Sequence, residues 1–533
     1  MANALILKPY ERRHDPGLFA RIVLGAALIG VAAFYGLMCS ILPMQLLTIP
    51  AVPILLMFAL ILWMLPDMGI IQAGWLEKSV VWFVGLSVLW PSYVAVNVPG
   101  LPWITPTRAA ALTLTVVFIL NFATSAELRK GIADAMNSVP WARKLFWAFW
   151  AVTTFSVILS PEVFFSLSKY ANNQIFWTMM LAVSTWLALR EGFAMRISRV
   201  IAWTIIVVSL LAIYETHIQN IFWLGRLPSF LKADLSLFEQ LGEAETRAGL
   251  KQYRARGTFS VALYFAEYLS ISFPFVLHFL VNSKRFSHSI VLAAGAVAVM
   301  IAMYETGSRS AMLGLLLSFI TYGFMLSWRV RLQKPGSIAA AASLYAYPIF
   351  AMLTGVLVVF WRRAHVLIIG GGAQQASTDT RETQWAMGLP KIAAHPFGSG
   401  PGQSGNVLGY FNPGSENPTV DSYFLTLMLD YGVLGLITFV SLFGLLIWKG
   451  FRGYNRATTD EFLLLAPITV ALFNFIVIKA VSSTEFNMPI ALILVGCALG
   501  LIGRQNRMDA EAEARQYVAP PARQGRTALP AQA

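Results

Sequence analysis

Arg256 and Arg309 are the residues of this 533-residue chain whose type and position point most directly to chemistry. A guanidinium offers a planar fork of donors that matches the oxygens of a phosphate, and it stays charged at physiological pH. Arg256 stands just ahead of an apolar run that begins at Thr258. Arg309 sits in the turn Tyr304-Glu305-Thr306-Gly307-Ser308-Arg309-Ser310, between two apolar runs. A lone guanidinium within a bilayer costs roughly 2.5–3.5 kcal/mol at mid-helix and less near the interface. Both arginines therefore call for an anionic partner. An internal ion pair with Glu305, Glu267 or Asp421 meets that demand, and so does a bound phosphate. Other chemistries lack their residues. The chain has no GxxxxGK[ST] loop to cradle a nucleotide, no HExxH or other His/Cys spacing for a metal, and six scattered histidines from which no Ser-His-Asp arrangement can be read. Cys39 and Cys497 lie in or beside apolar runs and form no disulfide or metal pattern.

The elements that must position these arginines follow from composition. The chain is 57% hydrophobic and 12% charged, whereas a soluble domain carries about 25% charged residues. Apolar runs of about 20 residues, the length that crosses a hydrocarbon core as a helix, recur near 18–38, 41–65, 79–98, 107–124, 145–166, 173–189, 200–220, 258–282, 289–305, 309–328, 342–361, 421–447, 461–480 and 486–503. The expected fold is all-α: a polytopic transmembrane helix bundle of about 12–14 spans. Its basic residues fall in clusters on alternate connections, among them Arg129/Lys130/Arg143/Lys144, Arg190/Arg196/Arg199, Arg329/Arg331/Lys334 and Lys449/Arg452/Arg456. Together with the termini, that side collects 25 of the 39 lysines and arginines. The positive-inside bias makes it cytoplasmic and places both termini there. The net charge of +13 is thus a topology signal and not a nucleic-acid footprint.

Two external connections are long, 221–257 and 361–420. They hold most of the remaining cations, including Arg226, Arg247, Arg254, Arg362, Arg363, Arg381 and Lys391, where solvated charge is tolerated. The second, rich in Gly and Pro, is expected to form a functional cap with short helices of its own. The expected organisation is an N-terminal set of transmembrane helices with the first long loop (1–250), a second membrane region with the cap (251–505), and a disordered cytoplasmic tail (506–533) rich in Ala, Arg, Gln and Pro.

Four segments in this order resemble the O-antigen polymerase and ligase superfamily of bacterial cell-envelope glycan enzymes. They are Arg254-Ala255-Arg256-Gly257-Thr258-Phe259; Thr306-Gly307-Ser308-Arg309-Ser310-Ala311; Arg381 with Trp385, followed by Ala394-His395-Pro396-Phe397-Gly398-Ser399-Gly400-Pro401-Gly402; and Asp421-Ser422-Tyr423-Phe424-Leu425 through Asp430-Tyr431-Gly432-Val433-Leu434-Gly435. The resemblance covers about residues 250–445. It implies a metal-independent glycosyl transfer without a cofactor, at the periplasmic face of the bacterial inner membrane, from a glycan on undecaprenyl pyrophosphate. By position Arg256 and Arg309 correspond to pyrophosphate-binding arginines, with Arg381 a further candidate and Arg254 and His395 as glycan contacts. The implied partners are the polyprenyl-pyrophosphate-linked glycan, the lipid bilayer, and chain-length regulator and flippase proteins.

Two positions depart from the pattern. Ligases of the family open the fourth segment with His and carry Glu further on, where this chain has Asp421 and Asp430. Asp421 either replaces the imidazole as a catalytic carboxylate alongside Arg309, as a general base or by orienting an acceptor hydroxyl, or caps a helix. Asp430, inside a span, is expected to pair with a cation or to pack structurally. Losing the His favours a polymerase of O-antigen, capsule or exopolysaccharide over a ligase acting on lipid A core. A flippase for lipid-linked oligosaccharide is a third reading, but it calls for charge along a cavity through the membrane.

Overall fold

The computed structural model describes residues 71–96, 104–234, 253–360, 375–411 and 417–518, with isolated positions before residue 71. The expected spans at 18–38 and 41–65, the residues Arg247, Arg362 and Arg363, and the end of the tail lie outside the described residues. In chain order the helices are α1 (Ala73–Leu89), α2 (Pro106–Thr124), α3 (Ala126–Asn137), α4 (Pro140–Ile158), α5 (Val163–Asn173), α6 (Met180–Ala188), α7 (Phe193–Ile218), α8 (Ala262–Val281), α9 (Phe286–Glu305), α10 (Arg309–Gln333), α11 (Ile338–Phe360), α12 (Gln375–Ala394), α13 (Ser404–Leu408), α14 (Tyr423–Asn455), α15 (Leu465–Lys479) and α16 (Met488–Val518). The fold is all-α, and among the described residues eight helical stretches are long and apolar enough to cross a membrane.

Local chemistry sets several boundaries. Thr105 caps α2 by accepting the Arg108 amide at 3.1 Å, with Pro106 in the first turn, where its missing N–H costs nothing. Ser125 caps α3 in the same way through the Leu128 amide. The expected span at 145–166 is divided: α4 stops at Ile158, the chain turns across Ser160-Pro161-Glu162, and α5 restarts at Val163. Proline has no amide to continue the ladder. A π-helical turn, Gln174–Met179, joins α5 to α6. The expected span at 79–98 ends at Leu89, after which Val94–Val96 pairs antiparallel with Leu231–Ala233. The stretch read as disordered from Arg507 is helical to Val518, since Asp-Ala-Glu-Ala-Glu-Ala-Arg is rich in strong helix formers.

The core lies where α8, α15 and α16 bury most of their surface. Tyr268, Phe273 and Phe275 of α8 are wholly enclosed. Small residues let backbones close: Gly496 and Gly500 of α16 lie against Leu181, Ser184, Thr185 and Ala188 of α6. Asn474 of α15 donates to the Ser270 carbonyl (2.8 Å) and to Ser318 Oγ (2.8 Å), tying α8, α10 and α15 by groups that lipid cannot satisfy. Outward faces remain apolar, as with Leu112, Val116 and Leu120 of α2 or Ile290, Val297 and Ile301 of α9. Oily exteriors around a hydrogen-bonded interior are what a bilayer requires of a multi-pass membrane protein.

One end of the bundle gathers the basic clusters. There Arg504 meets Glu461 at 2.8 Å and Glu191 at 3.6 Å, Arg456 meets Asp509 at 3.0 Å, Arg196 pairs with Glu77, and Arg329 donates to the Tyr454 and Ala457 carbonyls. At the opposite end α7, α9 and α15 finish while α8, α10, α14 and α16 begin. That end is called the mouth below.

Candidate functional site at the mouth of the bundle

Residues 253–259 cross the mouth and are held by backbone bonds from two neighbouring helices. Glu215, 1% exposed in the last turn of α7, accepts the amides of Arg256 (3.3 Å) and Gly257 (2.6 Å) and the Tyr253 hydroxyl (2.6 Å). The Ala255 amide donates to the Glu305 carbonyl at 3.0 Å, and Arg254 Nε donates to the Thr306 carbonyl at 2.9 Å. Thr258 reaches the Val88 carbonyl at the end of α1. Arg256 is buried. Half-buried Arg309 begins α10 immediately after a turn fixed by Thr306, whose hydroxyl accepts the Ser308 amide at 3.2 Å. The first two arginine segments, about fifty residues apart in sequence, thus form one surface.

Of the carboxylates expected to partner these arginines, Glu267 is engaged elsewhere. Glu267 is paired with Lys479 at 2.6 Å, both side chains fully enclosed, and it also accepts from Thr484 Oγ1 (2.7 Å) and Asn487 Nδ2 (3.0 Å). Glu305 meets the segment through its carbonyl. The carboxylate that fastens the Arg256 backbone, and lies close enough to act on its charge, is Glu215. The sequence reading did not single it out, although its place at the end of an apolar run was a signal.

The second long loop carries α12, a twenty-residue helix. From it Arg381 donates to the Val481 carbonyl at 3.3 Å, and fully buried Gln384 accepts the Asp421 amide at 2.8 Å. The N-cap position of α14 is Ser422, with Asp421 one residue earlier, so the capping alternative for Asp421 is not met. His395 is exposed just after α12; its amide donates to the Lys391 carbonyl, and its own carbonyl accepts the Gly398 amide.

After His395 the chain folds onto a break in α14. Gly432, at φ 73° and ψ −179°, interrupts the helix with a conformation open essentially to glycine alone. The freed backbone is filled by the loop: Ser399 donates to the Leu429 carbonyl (2.8 Å), Gly400 to the Asp430 carbonyl (3.0 Å), and Val433 to the Pro396 carbonyl (3.2 Å). The Asp430 carboxylate, 2% exposed, accepts the amides of Gly402 (2.9 Å) and Ser404 (2.6 Å). Asp430 therefore clasps the Gly/Pro loop to α14 by charge-assisted bonds.

Beside this clasp opens a cavity of about 820 Å³, walled by α1, α2, α5, the 402–406 and 417–420 segments and residues 483–490. Arg108, Lys169 and Glu485 are among its charged lining residues, and Lys169 Nζ lies 2.5 Å from Glu485 Oε2. None of Arg254, Arg256, Arg309, Arg381, His395 or Asp421 lines it. Two of them adjoin it: Arg381 donates to Val481 of the loop that carries Glu485, and Asp421 follows Val420 of the lining. The topology that orients the chain also puts Arg108 and Lys169 on the sparse side, so both were legible as out-of-place cations.

Comparison with known proteins agrees with the resemblance. Residues 294–440, which include Arg309, Arg381, His395, Asp421 and Asp430, match the family described as O-Antigen ligase. The chain is also similar to the teichuronic acid biosynthesis protein TuaE of Bacillus subtilis (strain 168), with 26% identity over 267 residues, 46% of this chain and 51% of that protein. It thus spans about half the length of that relative. An all-α, multi-pass membrane bundle with these segments in this order is similar to the O-antigen ligase and polymerase superfamily of cell-envelope glycan enzymes, over the region that residues 294–440 define.

Proposed function

We propose that this chain polymerises glycan repeat units carried on undecaprenyl pyrophosphate, with its mouth on the periplasmic face of the inner membrane and its basic end and both termini in the cytoplasm. The observation that carries this reading is convergence. Segments 254–259, 305–310, 381–384 and 419–421 meet at one end of the bundle, beside a cavity large enough for sugar rings. In this reading Arg256, Arg309 and Arg381 hold the donor pyrophosphate, and Arg254 and His395 contact the glycan. Pyrophosphate is already a leaving group, so transfer needs stabilisation of its growing charge and placement of an acceptor hydroxyl. Preset guanidiniums in a partly desolvated site supply the first. Asp421 orients the acceptor. Regulators of chain length and a flippase fit the same reading as partners.

The test is to incubate purified protein with lipid-linked repeat units and separate the products by size. A ladder on the polyprenyl carrier supports polymerisation. Transfer to lipid A core without elongation makes the chain a ligase, and no transfer by correctly folded protein sinks the reading.

A further inference from the structure

The transfer reaction proposed above needs a group to take the acceptor's proton, and the cavity contains two carboxylates. Both oxygens of Asp430 already accept backbone amides. Glu485 differs. It lines the cavity, its side chain is 23% exposed, and Lys169 holds it at 2.5 Å from across the space. Asp421 does not itself line the cavity but follows Val420 of its wall, a place from which it orients the acceptor at the edge without taking its proton.

Glu485 sits on a loop that is unusually well fixed. Residues 481–487 join α15 to α16, and the buried Lys479–Glu267 pair grips them from inside. Lys479 donates to the Thr484 carbonyl, while Glu267 accepts from Thr484 and Asn487. Phe486 stacks on Tyr264 at 5.4 Å and meets Phe259 at 5.4 Å, beside the Arg256 segment. Arg381 donates to Val481, the loop's first residue. One short loop therefore touches an arginine of the mouth at its start and presents a carboxylate to the cavity four residues later. The remaining lining combines amides (Asn172, Asn406, Asn417) with aromatic faces (Tyr264, Phe486), a mixture suited to sugar hydroxyls and ring faces.

We propose that this cavity seats the acceptor end of the glycan and that Glu485, held by Lys169, is the general base of the transfer. This rests on the proposed polymerase reading. The acceptor O–H proton passes to the Glu485 carboxylate, and the freed oxygen pair forms the bond to the donor's anomeric carbon. The bond from that carbon to pyrophosphate oxygen breaks, and its electrons leave with the polyprenyl pyrophosphate. Lys169 keeps the carboxylate aimed, and the proton is then released to water.

The test uses the full-length protein in detergent, with lipid-linked repeat units as donor and the same glycan, freed from its lipid by mild acid, as a soluble acceptor. Glu485→Gln is expected to lower kcat by 100-fold or more, the usual contribution of a positioned base, with KM for the lipid-linked donor within about twofold of wild type. Glu485→Asp, which keeps a carboxylate, should retain clearly more activity than Glu485→Gln. Retention of more than a tenth of wild-type kcat by Glu485→Gln overturns the assignment. If that variant fails to fold, Asn172→Trp decides: placed on the exposed face of α5, its indole should fill the cavity and weaken calorimetric binding of the soluble glycan at least tenfold. Unchanged binding overturns the acceptor site. Inactive but folded wild-type protein sinks the polymerase reading instead, so the two failures are distinguishable.

Discussion

At the scale of single residues, the mouth holds both side chains that fasten the fold and the arginines proposed to bind pyrophosphate. Arg256→Ala and Arg309→Ala should abolish long-chain polymer, measured by gel separation of glycan from a complemented strain, with membrane insertion unchanged; wild-type chain lengths from either variant remove that arginine from the site. Lys479 and Glu267 make a different prediction, because both are fully enclosed. Removing one partner of a buried pair leaves an uncompensated charge and typically costs about 3–5 kcal/mol. Lys479→Met should therefore lower thermal stability in detergent far more than the double variant Lys479→Met/Glu267→Gln, whose remaining groups are neutral. Equal loss in single and double variants argues against this account. The out-of-place arginines were legible from sequence because cations are scarce on the connections that alternate with the basic clusters. Their carboxylate neighbour Glu215, the Lys479–Glu267 pair and the Lys169–Glu485 pair were not, because each joins residues more than forty positions apart and no spacing rule connects them.

At the scale of elements, hydropathy served best where a helix is continuous and bilayer-length: the expected runs at 107–124, 258–282 and 289–305 correspond to α2, α8 and α9 within a few residues. It fared worst where backbone chemistry interrupts an apolar run, as at Pro161 and at Gly432, since hydropathy is blind to an amide's partner. The three-residue strands at Val94–Val96 and Leu231–Ala233 are too short to show a period. The clasp on α14 gives the element-level prediction. Asp430→Asn keeps one acceptor oxygen and loses a charge-assisted bond, worth about 1.5–3 kcal/mol, so the 396–404 loop should be cut faster by proteinase K in detergent. Gly432→Ala adds a strain of about 1–3 kcal/mol and drives a Cβ into the Pro396 carbonyl; it should release the same loop more completely. Gly444, with open space around it, should accept Ala without loss. Unchanged cleavage in both clasp variants removes the clasp.

At the scale of the whole molecule, the two ends differ in charge and in what they do. The basic end is closed by ion pairs such as Arg504–Glu461, whereas the mouth holds an open cavity. Single cysteines at Asn417 and Lys334 in a cysteine-free background test the orientation: a membrane-impermeant maleimide added outside intact spheroplasts should label the first and spare the second, and the reverse pattern inverts the proposed topology. The Lys479–Glu267 pair has one more consequence, for biogenesis. Glu267 enters the membrane with α8 roughly 200 residues before its cation is synthesised, a delay on the order of 10–40 s at translation rates of about 5–20 residues per second. A carboxylate stranded in lipid that long is costly, so α8 should linger at the insertion machinery until α15 emerges, and synthesis of α15 would then set when α8 is released into the bilayer.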